Sequence, residues 1–281
     1  MARRFRIVDV FTDRPLAGNQ LAVVLDGEGI DQTSMQAIAH EFNFSETTFV
    51  TRSARPGCDW KVRIFTPFVE LPMAGHPTVG TAVVLRDEGL AGDEVTFELG
   101  IGPTPVAFDS EGLAWMTQPE ADFEATLDDR ELVASALSLS SADLRGDLPL
   151  QVVSCGNPFL FVPVASLEAL GRTRPNLDVW ERLTAGMDLR GIFGFVETGP
   201  GRIRARMFAP TVGVAEDPAT GSAAGPLGAY FARHRDVTSL LIEQGVEMGR
   251  PSLLRVDASA SRPRVGGRAV RVAAGELQLP E

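Results

Sequence analysis

The chain has 281 residues, and its 26 Lys and Arg against 37 Asp and Glu give a formal net charge of −11. That balance argues against a general phosphate-backbone binder, which needs a basic face. Hydrophobic residues at 44% and charged residues at 22% are ordinary for a folded protein, and the length allows two domains.

The 28 Gly and 19 Pro favour short strands and turns over long helices. No stretch approaches the roughly 18 apolar residues that span a bilayer. The charged start, MARRFRIVDVF, lacks an apolar h-region, so neither a signal peptide nor a membrane span is expected. The two cysteines, Cys58 and Cys155, do not make a disulfide framework, and a reducing cytoplasm is the expected location.

Residues 4–11 alternate loosely and read as a strand, followed by a turn at Asp13, Pro15 and Gly18. Residues 20–25 read as a buried strand. Asp31 caps a predicted helix through about Asn43, with Met35, Ile38, Ala39 and Phe42 on one face. Strands follow at 47–51 and 62–65. A buried helix of small residues is predicted from about Pro77 to Asp87, stopped by Gly89. Short strands are expected at 94–99, 104–108 and 113–118. The acidic stretch 119–150 reads as a connection with a short helix near 129–137. Strands resume at 152–154 and 159–164, a helix is expected at 178–188, and strands at 192–197 and 202–208. A second small-residue helix is predicted from Gly221 through Phe231, and 252–277 is strand-rich, with Val265-Gly266-Gly267-Arg268 read as a hairpin turn.

Two landmarks recur in the same order. Gly18-Asn19 and Gly156-Asn157 each feed a strand. Phe65-Thr66-Pro67 precedes Gly75, and Phe208-Ala209-Pro210 precedes Gly221. Shared order and similar spacing predict a duplicated domain. Helix starts carry N–H groups and a positive dipole end, so these two suit an anionic small molecule.

Three side chains stand out. Glu46, beside apolar residues, fits a general acid or base, although taken alone it reads more readily as a solvent-facing turn residue. His76, at a helix start, either shuttles protons with a pKa lowered by the helix or caps its own helix. Asp217 either binds a substrate amine or hydroxyl or caps the second helix; Gly221 and Ser222 supply donors to a carboxylate. The scattered His40, His76 and His234 and the absence of CxxC argue against zinc. No dinucleotide, P-loop or GxSxG motif occurs.

At these residues the chain resembles the phenazine-biosynthesis PhzF-like family, of the diaminopimelate-epimerase-like fold. The resemblance is carried by residues 5–24, FNFSETTFV at 42–50, RIFTPFVELPMAGHPTVGTA at 63–82, CGNPFLFV at 155–162, RMFAPTVGVAEDPATGSAAGPL at 206–227 and QGVEMGRPS at 244–252. It implies an α+β fold of two similar lobes, each a highly curved, mostly antiparallel sheet or barrel around a central helix, with the active cleft between them. The lobes are expected at 1–118, completed by a C-terminal strand at about 266–281, and at 119–265.

The resemblance further implies an isomerase that transfers a proton without metal or organic cofactor, commonly as a homodimer, with a small carboxylate as its partner and neither nucleic acid nor membrane. It places the acid/base glutamate on Glu46, a histidine on His76 and an aspartate on Asp217. Substrate contacts fall on Gly75, Gly221 and Ser222, and more weakly on Ser45 and Gln244. Related epimerases use a cysteine at each helix start; Ala74 and Thr220 stand there, which favours a one-carboxylate mechanism over two-thiol racemisation. The competing class is a small-molecule-binding or interaction protein on the same scaffold, without turnover.

Overall fold

A computed structural model describes residues 2–279 and divides into two compact units. The first comprises residues up to Gln118 together with the C-terminal segment from Arg264; the second is Pro119–Pro263. Residues 280 and 281, included in the expected C-terminal strand, lie outside the described residues.

In chain order the elements are β1 (Ala2–Val10), β2 (Asn19–Val24), α1 (Gln32–Phe42), β3 (Glu46–Arg52), β4 (Trp60–Phe65), β5 (Glu70–Leu71), α2 (Gly75–Asp87), β6 (Glu94–Leu99), β7 (Gly102–Phe108) and β8 (Ala114–Thr117). The second unit supplies β9 (Asp122–Thr126), α3 (Arg130–Ala136), β10 (Gln151–Ser154), β11 (Pro158–Pro163), α4 (Leu167–Arg172), α5 (Leu177–Thr184), β12 (Gly191–Gly199), β13 (Arg202–Ala209), β14 (Val214–Asp217), α6 (Gly221–Arg235), β15 (Ser239–Gln244) and β16 (Ser252–Asp257). β17 (Arg264–Gly267) and β18 (Ala269–Gln278) return to the first.

In the first unit β1 lies antiparallel to β2, β2 parallel to β3, and β3 antiparallel to β4. β4 continues parallel to β6, with β5 folded back along its end. β6, β7, β8 and β17 follow antiparallel. β17 runs into β18, which pairs along all of β1, so the sheet closes on itself. The Phe11 N–H donates to the Arg268 carbonyl at 2.7 Å across that closure. α2 sits inside. It is buried on every side, which a helix of Gly, Thr, Val and Ala permits. A Cβ on Gly80 would fall 2.6 Å from both Leu21 Cδ2 and Val10 Cγ2, so glycine lets the helix reach β1 and β2. Thr48 and Thr81 share a hydrogen bond of 2.9 Å, tying β3 to the helix.

The second unit repeats the plan. β9, β10 and β11 are antiparallel, β11 is parallel to β12, and β12 is antiparallel to β13. β13 is antiparallel to β14 and parallel to β15, and β16 closes the order. The buried α6 packs Tyr230 and Phe231 against Phe195, with Phe161 also touching Tyr230. Each Gly-Asn precedes or opens the strand that leads the parallel pair, and each Phe-x-Pro ends β4 or β13 before the central helix. The duplication and the α+β lobes are therefore present in the fold.

Several local expectations needed correction. Gly266-Gly267 is strand, not a turn: Gly266 faces Trp115, and Gly267 leaves room for the Phe11 ring, whose Cδ1 would lie 2.3 Å from a Cβ there. β7 begins two residues earlier than expected, at Gly102, with Pro103 opposite Glu98. The acidic stretch 119–150 contains a strand, β9, paired with β10. α6 runs four residues beyond Phe231, to a left-handed Asp236 that ends it. No helix among the described residues is long and apolar enough to cross a membrane.

Candidate functional site

In the first unit α1 ends on Asn43, whose left-handed backbone, φ 52°, turns the chain into Phe44, Ser45 and Glu46. Glu46 opens β3 opposite Leu21 of β2. Its side chain is only 13% exposed, so the carboxyl is not a solvent-facing turn group. Ser45, beside it, is half-buried.

Across from it α2 begins two residues earlier than expected, at Gly75, with Ala74 as its extended N-cap. His76 is buried, and its Nε2 lies 3.2 Å from Glu46 Oε2. On the other edge of the ring, Asn19 Nδ2 lies 3.0 Å from Nδ1. Burial pushes the imidazole down to about 3, against the weaker opposite pull of a backbone hydrogen bond with Gln20. The expected lowering is present, but its cause is desolvation rather than the helix end. The Glu46 contact thus joins a carboxyl to a neutral ring. The ring's side-chain partner is Asn19, and α2 itself has no side-chain cap.

In the second unit Asp217 ends β14 and is buried, as are Thr220, Gly221 and Ser222. Thr220 is the N-cap of α6, and its hydroxyl donates to Asp217 Oδ2 at 2.6 Å. Gln244, expected as a substrate contact, is fully buried. Its Oε1 accepts from the Thr220 N–H at 3.1 Å, and its Nε2 donates to the Asp217 carbonyl at 2.7 Å and to Thr220 Oγ1 at 2.9 Å. Its amide is engaged with the start of α6. One residue before Asp217, Glu216 meets the buried Arg206 of β13 through two bonds of 2.7 and 2.8 Å.

The duplication exposes an asymmetry. Leu21, two residues after Asn19, pairs with Glu46; Phe159, two residues after Asn157, pairs with Gly191. The counterpart of the acid is a glycine, where a Cβ would lie 2.6 Å from the Phe208 carbonyl oxygen. One half holds the carboxyl and imidazole; the other holds Asp217 with its hydroxyl and amide. Asn19 and Thr220 were not singled out as functional groups in the sequence. The recurring Gly-Asn and the helix-start alignment were the available signals. Cys155 is fully buried and burial pushes its thiol up to about 12, while Cys58 is half-exposed; both are free. Among the described residues no group of three or more His, Cys, Asp or Glu could hold a metal ion.

The family described as phenazine biosynthesis-like protein, PhzC-PhzF, matches residues 8–275. An uncharacterized isomerase of Mesorhizobium japonicum is 38% identical, over 98% of each chain. The trans-2,3-dihydro-3-hydroxyanthranilate isomerase of Pseudomonas aeruginosa is also 38% identical, over 93% of this chain and 92% of its own. The crystal structure of a PhzF-family phenazine biosynthesis protein from Bacillus anthracis superposes with a TM-score of 0.89 at 29% identity, covering 99% of this chain and 100% of that one. The protein is an enzyme of the isomerase type. From its first strand to the strand that closes the first unit, it belongs to the phenazine biosynthesis-like PhzC-PhzF family.

Proposed function

We propose that the enzyme moves a proton within a small carboxylated substrate, cyclic or unsaturated, and that Glu46 is the group that takes and returns it. The observation that carries this reading is the Glu46 carboxyl, largely withdrawn from water and 3.2 Å from a neutral histidine. A proton must leave one carbon and a proton must be delivered to another, and a shielded carboxyl beside a neutral imidazole suits both steps.

The balance is simple. Glu46 accepts a proton from an activated carbon, the electron pair moves along the conjugated system, and the Glu46 carboxyl, its proton exchanged with solvent, delivers one at another carbon. No electrons leave the substrate. His76 orients the carboxyl through its Nε2 edge. Asp217 accepts from the substrate's amine or hydroxyl. Ser45, Gly75, Gly221 and Ser222 contact its carboxylate, the glycines through N–H groups at helix starts. The Pseudomonas aeruginosa relative is named for a dihydro ring bearing amine, hydroxyl and carboxylate. That chemistry is the first substrate to try.

The test is transfer of solvent deuterium into trans-2,3-dihydro-3-hydroxyanthranilate, with native protein and Glu46→Gln. Native protein is expected to incorporate label. The variant is expected to lose roughly 100-fold or more, the usual worth of a general acid/base. Equal incorporation by both removes Glu46 from the role. No turnover by native protein removes this compound as the substrate.

A further inference from the structure

We infer that Thr220 and Gln244 are positioning residues that hold the Asp217 carboxylate as a directed hydrogen-bond acceptor. The inference rests on Asp217 being a ligand contact, and it gives Thr220 and Gln244 a role that acts through that carboxylate rather than on the ligand.

The direction of every bond in this network follows from one backbone atom. The Thr220 N–H can only donate, so the Gln244 atom that it meets at 3.1 Å is the amide oxygen. The other end of that amide is therefore NH2, a donor, and it lies 2.9 Å from Thr220 Oγ1 and 2.7 Å from the Asp217 carbonyl. A hydroxyl that accepts from Gln244 turns its own proton elsewhere, and 2.6 Å away is Asp217 Oδ2. The chain of donation runs from Gln244 through Thr220 to Asp217, with no alternative rotor or amide orientation. All three groups are buried. A carboxylate that accepts from this hydroxyl is fixed in rotamer and presented as an acceptor, which selects ligands bearing N–H or O–H.

The repeated half shows that the fold does not need this network. Thr220 and Ala74 are the two N-caps. Asp217 and Leu71 both end the short strand before the central helix. Gln244 and Leu99 end β15 and β6, each followed by a glycine packed on the proline at the helix approach, Gly245 on Pro218 and Gly100 on Pro72. Asp, Thr and Gln thus stand where the same architecture is built with Leu, Ala and Leu. A purely structural device would be expected in both halves, or in neither.

The experiment uses full-length protein carrying Thr220→Val, Thr220→Ser, Asp217→Asn and the Asp217→Asn/Thr220→Val pair. Crystal structures without ligand form the first arm. Thr220→Val is expected to release the Asp217 carboxylate into a different or second rotamer, and Thr220→Ser to recover the single one. A carboxylate unmoved in Thr220→Val overturns the inference.

The second arm is binding of 3-hydroxyanthranilate, an aromatic carboxylate with the amine and hydroxyl. Thr220→Val is expected to weaken it about tenfold, the worth of one charge-assisted bond, and Thr220→Ser to recover most of that loss. In the Asp217→Asn background the same change should cost less than about twofold, because its effect passes through the carboxylate. Additive losses refute positioning. Asp217→Asn that binds as tightly as native protein refutes instead the reading of Asp217 as a ligand contact, and the rotamer arm then decides the role of Thr220 alone.

Discussion

Replacing Arg206 with methionine is expected to destabilise the second unit by about 4 kcal/mol, because it strands a partly buried carboxylate. The Arg206 guanidinium is 4% exposed and its partner Glu216 is 18% exposed. Nε and Nη2 grip both oxygens of Glu216, while Nη1 donates to the carbonyls of Leu170, Gly171 and Thr173 at 3.0, 3.1 and 3.0 Å, at the end of α4. The carbonyls lose less than the carboxylate, because each keeps another donor: Thr173 N–H for Leu170, and Arg174 for the other two. Breaking a buried pair by removing one partner costs about 3–5 kcal/mol, and Glu216 keeps some water, which sets its share near about 3. The carbonyl bonds add about 1 kcal/mol together, a discounted fraction of the usual net value per bond.

At about 2–4 °C per kcal/mol the melting transition of the second unit should fall by roughly 12 °C in differential scanning calorimetry. Arg206→Lys, which keeps the charge but not the fork, should lose about half as much. Arg206→Met with Glu216→Leu should recover most of the loss, since no charge is then left unpaired. A melt of Arg206→Met within about 3 °C of native protein would refute the reasoning. So would a double variant that melts lower still.

His76 gives a pH dependence. Its folded pKa of about 3 lies below the ordinary 6.5, so between those values the unfolded chain holds more protons. Its contribution is complete above about pH 7, and stability falls as pH drops through that window, by about 2 kcal/mol between pH 7 and 5. Urea titrations should show that loss in native protein over and above His76→Gln; parallel slopes for the two would contradict burial as the dominant effect. Gly267→Ala sets a Cβ 2.3 Å from Phe11 Cδ1 and should cost the first unit roughly 2–3 kcal/mol in the same assay. Gly92→Ala, with nothing within 4 Å of its Cβ, should stay within about 0.5 kcal/mol, and equal losses would discredit the steric account.

The punctuation of the chain was its most readable part. Asp31 and Asn43 mark both ends of α1 because a capping carboxylate and a left-handed terminator have local requirements. The small-residue helices were legible because few other settings accept Gly, Ala and Thr in succession. Gly266 and Gly267 misled for the opposite reason. Their glycines answer to the rings of Trp115 and Phe11, about 150 and 255 residues away in the chain, and no local rule reports that. The strand Asp122–Thr126 was masked by charge, and Ser166, which caps α4, was an unused signal. Within the site, Glu46 and His76 are readable as residue types, but their 3.2 Å approach depends on the register of β2 with β3 and on the seat of α2. Gln244 was pointed to by its QGVEMGRPS motif alone, and sequence does not show that its amide bonds the start of α6.

The first unit cannot be finished until β18 exists. During synthesis its barrel lacks the staves Arg264–Gly267 and Ala269–Gln278 until the second unit has been made, because every residue of that unit precedes them. At 5–20 residues per second, roughly 10–30 s separate the emergence of Gln118 from that of Gln278. The half encoded first is therefore the half sealed last, and a nascent chain spends that interval with β1 unzipped along one edge.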